Sequence, residues 1–333
     1  MHLPTLWFII IAIFWTGYFI LEGFDFGVGI LLPVLGRDET ERRVLINTIG
    51  PVWDGNEVWV IVAGCATFAV FPDWYATLFS GFYLALLLIL LALIIRGVAF
   101  EYRGQRNDAT WKARWDLAIV VGSLVPAILW GVAFANILRG VPIDSHKEFV
   151  GNFWDLLNPY ALLGGLTTLV LFLLHGAIFL ALKTRGEVRD RANRLASQLG
   201  IAAVVVAVAF LGWTAGIRVT AASATLSVLA ALALLGALLA NRMKREGWAF
   251  AGTALTIALA VVTLFTALYP DVMPSTISAA NSLTVDNASS SHYTLKIMSW
   301  VAVVFTPLVL LYQGWTYWVF RRRIGVSDIP SSS

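Results

Sequence analysis

Apolar positions along the chain fall into long runs, each close to the roughly 20 residues a helix needs to cross hydrocarbon. Charged positions gather in the gaps between them. Nine spans are expected, at about 5–32, 52–71, 78–99, 117–138, 160–182, 199–217, 220–240, 248–269 and 297–320. The sixth and seventh are separated only by a very short turn. Pro126 and Pro307 lie inside the fourth and ninth spans, where they predict kinks. The two longest connections on the amino-terminal side hold Asp144, His146 and Glu148 in one, and residues 271–296, rich in Ser, Thr, Asn and Ala, in the other. The second is expected to be a surface loop covering an outer face. No soluble domain is visible, and no low-complexity tail beyond residues 331–333.

Composition agrees with the pattern. Of 333 residues, 59% are hydrophobic and only 13% charged, against about a quarter charged in a soluble domain. The predicted class is therefore an all-α polytopic membrane protein, a single transmembrane domain over 1–333. A formal net charge of +3 gives no argument for nucleic acid. Cys65 is the only cysteine, which excludes an internal disulfide and every multi-cysteine metal site. The start, Met1-His2-Leu3-Pro4, lacks a basic region and leads into an apolar run too long for a signal peptide, so it reads as a retained first span.

The placement of charge sets the orientation. Loops on the amino-terminal side carry Arg139, Lys147, Arg218 and Lys296. Loops on the other side, together with the carboxyl end, carry eighteen Lys and Arg, and Arg96 inside the third span completes the total of 23. Positive charge concentrates on the cytoplasmic side of membrane proteins. The N-terminus is thus expected outside and the C-terminus in the cytoplasm.

Against this background a few polar residues stand out. The first span ends in LEGFDFGVGILLP, with Glu22 and Asp25 three apart and able to share a helix face. Glu22 is about 25 Å along the helix from Thr5, toward its cytoplasmic end. The second span opens with GPVWDGNEVWV, where Asp54 and Glu57 repeat the spacing and Asn56 adds an amide. The third closes with IIRGVAFEYRG, bringing Arg96 and Glu101 to the same depth. Carboxylates in a membrane are costly and need compensation. Three readings stay open: the acids neutralise arginines and mark loop edges, they form a hydrated entry for protons or cations, or they make a binding surface for a partner subunit.

Other residues admit simpler readings. Gly23 and Gly27 form a G-x-x-x-G spacing suited to close helix packing, and Gly17 and Gly29 extend that seam. Nothing here sets glycines between a soluble strand and a helix, so phosphate binding is not expected. His175 sits deep in the fifth span, but His2, His146 and His292 all fall at or outside the outer surface, so no buried pair exists to ligate haem. A packing or hydrogen-bonding histidine is the better reading. Among fourteen tryptophans, Trp74, Trp154 and Trp248 suit interfacial anchoring, and Trp59 suits a helix interior.

The paired segments LEGFDFGVGILLP and GPVWDGNEVWV, with the nine spans, resemble subunit II of the cytochrome bd-type quinol oxidases. The resemblance covers essentially the whole chain. It is most specific at 22–33 and 50–60, and elsewhere rests on hydropathy. It implies two four-helix bundles plus one peripheral helix: a first bundle within 1–139 carrying the acidic motifs, a connection at 140–159, a second bundle over 160–270, an outer loop at 271–296 and a ninth helix at 297–320. It also implies a haem-bearing subunit I as partner, small single-span subunits, and contact with membrane lipid and quinone. Such a complex oxidises ubiquinol or menaquinol and reduces oxygen to water. Two b-type haems, one d-type haem and the main quinol site would belong to the partner, leaving no cofactor firmly bound by this chain. Membrane potential would arise without pumping, from protons taken up on the cytoplasmic side. In the family the Asp of the W-D-G-N segment is associated with a proton route, which matches Asp54, and Asp25 matches the other acidic position. Glu22 and Glu57 would support them, with Arg96 and Glu101 as charge compensation and Asn56 in a structural role. An ion-coupled transporter and a purely structural subunit are the competing classes.

Overall fold

The computed structural model describes residues 2–329; Met1 and residues 330–333, including the serine run at 331–333, lie outside the described residues. The chain is built almost entirely of helices: α1 (Leu3–Leu35), α2 (Glu39–Ile49), α3 (Trp53–Val70), α4 (Pro72–Gly81), α5 (Tyr83–Tyr102), α6 (Ala109–Arg139), α7 (Pro159–Lys183), α8 (Gly186–Ile217), α9 (Ala221–Arg242), α10 (Glu246–Leu268) and α11 (His292–Val319). Among the described residues, eight helices are long and apolar enough to cross a membrane, namely α1 and α5 to α11. The helix over the second expected span, α3, has only 18 residues and spends its first turns on Asp54, Asn56 and Glu57.

Two further differences from the expected spans have local causes. The stretch holding Arg37, Arg42 and Arg43 was expected as loop, but most of it folds as α2. Asp38 caps that helix by accepting from the Glu41 amide, and Glu39 and Glu41 favour its N-terminus. The third expected span crosses a break: α4 starts at Pro72, and the helix is interrupted at Phe82 (φ −102°, ψ 15°) before α5 begins. Trp74, expected at the interface, is only 2% exposed, whereas Trp154 and Trp248 are exposed as expected. The short turn between the sixth and seventh spans is a real break, closed by Thr220, which caps α9 reciprocally with Ser223.

The first helix is the hub of the molecule and packs against α3, α6, α7 and α10. Its glycines explain how. A Cβ at Gly27 would lie 2.0 Å from the Phe172 carbonyl oxygen, and one at Gly176 would lie 2.6 Å from the Gly27 carbonyl carbon. The backbones of α1 and α7 therefore touch directly. A Cβ at Gly23 would strike the Phe172 ring. On the amino-terminal side, the segment after α10 is ordered. Strand β1 (Asp271–Met273) pairs antiparallel with β2 (Leu283–Thr284). Val141 bridges to Ser275, and the Ser290 amide donates to the Val70 carbonyl. Val272, Met273 and Leu283 are buried beneath this cap.

The last long helix is the most exposed. Leu295 is the only buried residue of α11, and Phe305, Leu308 and Leu311 face outward. On α5, Leu88, Leu91 and Ile95 do the same. Contiguous apolar faces of this kind suit lipid or a partner helix. At the end of the molecule opposite the N-terminus the chain after α11 turns back under α7: Lys183 donates to the Phe320 and Arg322 carbonyls, Arg185 donates to the Arg323 carbonyl, and Arg323 pairs with Glu246.

Candidate functional site

Where α1, α3 and α5 meet, the chain buries charge. Glu22, Asp25, Asn56 and Arg96 are each fully buried. Arg96 Nη1 donates to Glu22 Oε2 at 2.6 Å and lies 3.6 Å from Glu57 Oε2, within ion-pair range but too long for a hydrogen bond. The guanidinium also sits over the Phe26 ring at 4.9 Å and the Phe100 ring at 5.5 Å. Gly122 on α6 lets α5 approach closely here, since a Cβ there would lie 2.7 Å from Arg96 Cβ. Arg96 is about 9 Å along α5 from its end at Tyr102.

Beside this triad, Asn56 Nδ2 donates to Asp25 Oδ2 at 2.7 Å. Asn56 Oδ1 in turn accepts from Gln313 Nε2 at 2.9 Å and from Tyr317 OH at 2.7 Å, both on α11. Each buried acid keeps one oxygen without a protein hydrogen-bond partner, Glu22 Oε1 and Asp25 Oδ1. Those oxygens can accept a proton or a donor, and Arg96 retains Nε and Nη2 as unused donors. Glu57 keeps 22% of its side chain exposed, so the cluster is not sealed.

The residues singled out in the sequence thus separate into two groups. Glu22, Asp25, Asn56, Glu57 and Arg96 come together. Asp54 lies one turn before Glu57 but is exposed on the outer side of α3, and Glu101 is exposed near the end of α5. Among the described residues, no ion pair joins Arg96 to Glu101; its partners are Glu22 and Glu57. Gly23 and Gly27 hold α1 against α7. His175 is fully buried and stacked on Phe250, with 4.6 Å between ring centroids. Its Nε2 lies 3.2 Å from the Ile20 carbonyl and its Nδ1 lies 2.7 Å from Thr253 Oγ1. A carbonyl can only accept, so Nε2 carries the hydrogen, and Nδ1 competes with the Ala249 and Phe250 carbonyls for the single Thr253 hydroxyl hydrogen. Both ring nitrogens are engaged, and His2, His146 and His292 are exposed. Among the described residues, no cluster of His, Cys, Asp and Glu could hold a metal.

Sequence reading missed two features. Gln313 and Tyr317 lie far along the chain, and their only signal was two polar groups at helical spacing in an apolar helix. The second is a set of ion pairs at the end of the molecule opposite the N-terminus. Arg103 binds Asp116 at 2.5 Å and reaches both oxygens of Glu39 at 3.0 and 2.8 Å, and Lys112 and Arg42 complete the set. Partial burial opposes ionisation of Glu39, but the hydrogen bonds from Arg103 and Lys112 outweigh it and hold the carboxyl below its usual range. A lone acid opening an apolar run, Asp116, was the available sign.

Comparison with known proteins agrees with this architecture. The chain matches the family described as cytochrome bd terminal oxidase subunit II over residues 3–320. It is 43% identical over 327 residues to the cytochrome bd ubiquinol oxidase subunit 2 of Bacillus subtilis (strain 168), covering 97% of each protein. It is 39% identical over 370 aligned positions to the cytochrome bd-I ubiquinol oxidase subunit 2 of Escherichia coli (strain K12), covering 99% of this chain and 97% of that one. Its fold matches a chain in the structure of bd oxidase from Geobacillus thermodenitrificans with a TM-score of 0.78 at 17% identity, over 96% of this chain and 99% of that one. With its eight long apolar helices, this is a multi-pass bacterial membrane protein. The match along nearly its whole length shows that the chain belongs to the cytochrome bd terminal oxidase subunit II family.

Proposed function

We propose that this subunit conducts protons from the cytoplasm toward a haem-bearing subunit I in a complex that oxidises ubiquinol or menaquinol and reduces oxygen to water. The partner would hold two b-type haems and one d-type haem, and those groups, when bound, supply the electron transfer to oxygen. Small single-span subunits and lipid would complete the assembly in the cytoplasmic (inner) membrane. In this reading α3 is the ninth span, despite its polar first turns. Helices α1, α3, α5 and α6 form the first four-helix bundle, α7 to α10 form the second, and α11 is peripheral. The N-terminus lies outside and the C-terminus in the cytoplasm.

The observation that carries the proposal is the buried acid cluster. Two carboxyls with no exposure, each with an oxygen free of protein partners, stand beside a buried arginine and a partly open Glu57. Intramembrane ionisable groups of this kind mark proton and ion routes by default. Glu57 would receive protons from the cytoplasmic side, Glu22 and Asp25 would pass them on, and Arg96 would keep the acids from both desolvating uncompensated. Asp54, exposed on the outer side of α3, would hand protons across to the partner. Because protons are taken from one side only, membrane potential follows without a pump.

The test begins with the affinity-purified complex, whose reduced-minus-oxidised spectrum and quinol-dependent oxygen uptake establish the oxidase. Asp25→Asn and Asp54→Asn keep shape and remove the titratable group. Each is expected to leave the haem spectrum intact and lower turnover by about 10²-fold, the scale of a lost proton-transfer group. Normal turnover in both variants would leave only a structural subunit. A haem-free preparation with no large partner and no oxygen uptake would point to transport instead.

A further inference from the structure

Helix α11 is mostly exposed, yet near its C-terminal end Gln313, Thr316 and Tyr317 are partly buried at the spacing of a single helix face. Two of these residues bind Asn56. On the opposite wall of the cleft stands Trp59, fixed by α1: its ring fills the space above Gly17, where a Cβ would come within 2.5 Å of it, and meets Phe14 edge-on at 6.4 Å. Trp59 Nε1 donates to Gln313 Oε1 at 3.0 Å.

The direction of every bond in this chain follows from its first member. An indole N–H can only donate. Gln313 must therefore present its oxygen to Trp59, which leaves its amide nitrogen for Asn56. That nitrogen can only donate, so Asn56 presents Oδ1, and the Tyr317 hydroxyl donates to the same oxygen. Asn56 is then left with its Nδ2 toward Asp25. We propose that Trp59, Gln313 and Tyr317 are positioning residues for proton transfer at Asp25, holding the Asn56 amide so that Asp25 always receives a donor and its bonded oxygen never has to give up a proton to hold the contact. The proposal rests on the proton-route reading of Asp25.

The consequence is chemical as well as geometric. With the amide oriented this way, the contact between Asn56 and Asp25 survives whether or not Asp25 carries a proton. With the amide reversed, Asn56 Oδ1 faces the carboxyl, and the contact forms only when Asp25 is protonated and donates. A relay group locked into its protonated form cannot cycle. The peripheral helix thus acts on the route without touching Asp25.

The experiment compares Tyr317→Phe, Gln313→Met and Trp59→Phe with Asp25→Asn in the purified complex. It measures turnover, quinol KM, haem spectrum and the solvent deuterium isotope effect on turnover. Tyr317→Phe keeps the ring, so it remains informative even where another variant assembles poorly. Each of the three is expected to lower turnover by about tenfold, within the range produced by misplacing a reacting group. The quinol KM and haem spectrum should stay unchanged, and the isotope effect should exceed that of the unmodified complex. A merely structural role would not raise that isotope effect. If Asp25→Asn slows turnover while all three leave both turnover and isotope effect unchanged, the positioning role is overturned and the role of Asp25 stands. If Asp25→Asn itself turns over normally, the route through Asp25 is wrong and the positioning proposal falls with it.

Discussion

At the scale of single residues the decisive feature is a buried arginine in ion-pair range of Glu22 and Glu57. Removing one partner of a buried pair leaves the other uncompensated, at a cost of about 3–5 kcal/mol. Arg96→Met should therefore strip Glu22 of its 2.6 Å partner and sharply reduce the yield and thermal stability of the assembled complex. The double variant Arg96→Met with Glu22→Gln should recover part of that loss, because the fully buried acid paired at 2.6 Å is neutralised with it, while Glu57 keeps its access to water. Equal instability in single and double variants would mean that Arg96 matters through its packing on Phe26 and Phe100 instead. His175→Phe tests a different residue-scale point. It removes two buried hydrogen bonds, while Thr253 keeps the Ala249 and Phe250 carbonyls, so stability should fall by about 0.5–1.5 kcal/mol per bond. Haem content should not change, because both ring nitrogens are already engaged. The sequence made the depth of Glu22, Asp25, Glu57 and Arg96 legible, because a charge inside an apolar run is conspicuous. It could not assign their partners. Which acid faces Arg96 depends on the rotation of α3 and α5, and the same helical spacing that put Asp54 and Glu57 near one face left Asp54 exposed. Gln313 was invisible for another reason, being separated from Asn56 by most of the chain.

Between elements, contact is set by what the helices lack. Gly27→Ala adds only a methyl group, but that methyl would sit 2.0 Å from a backbone oxygen of α7, which has no rotamer by which to yield. The two helices must separate, so the variant is expected to lose assembly, read as a fall in purified complex. Gly104→Ala, with open space around its Cβ, is the matched control and should assemble normally. The G-x-x-x-G spacing announced this contact; its partner surface, Phe172 and Gly176, carried no comparable sign. Short elements were harder to read. Helix α2 is too brief and too charged to stand out from a loop, and only its Asp38 cap hinted at it. Its role lies in the ion pairs that join it to α6, and these have a predictable acid limit. The Glu39 carboxyl is held below its ordinary value of 4.5 in the folded protein. The stabilisation this brings is fully present above about pH 4.5 and is lost as pH falls through the lower folded value. A thermal unfolding series should therefore show a drop below about pH 4.5 that Glu39→Gln reduces. An unchanged acid profile in that variant would assign the drop to other carboxylates.

Across the whole molecule the strongest regularity is the segregation of positive charge. Eighteen Lys and Arg fall at one end of the helices and four at the other, and the fold gives those ends physical identities. The basic end holds α2, the Arg103 cluster and the returning C-terminal segment. The other end holds the small two-stranded cap, with Ala280 exposed on it. Because Lys and Arg resist translocation, the basic end is expected in the cytoplasm, and the acid cluster, about 9 Å inside that end along α5, would then face the compartment that supplies its protons. The orientation can be read with two single cysteines in a Cys65→Ser background, Ala280→Cys on the cap and Gly104→Cys in the turn between α5 and α6. A membrane-impermeant maleimide applied to intact spheroplasts should label position 280 at once and position 104 only after the membrane is opened. The reverse pattern would place Glu57 on the outside and remove the cytoplasm as the proton source, whatever the variants of Asp25 do to turnover. Labelling of both positions before opening would mean that the chain inserts in two orientations, and that the charge bias, large as it is, does not fix topology without the partner subunit.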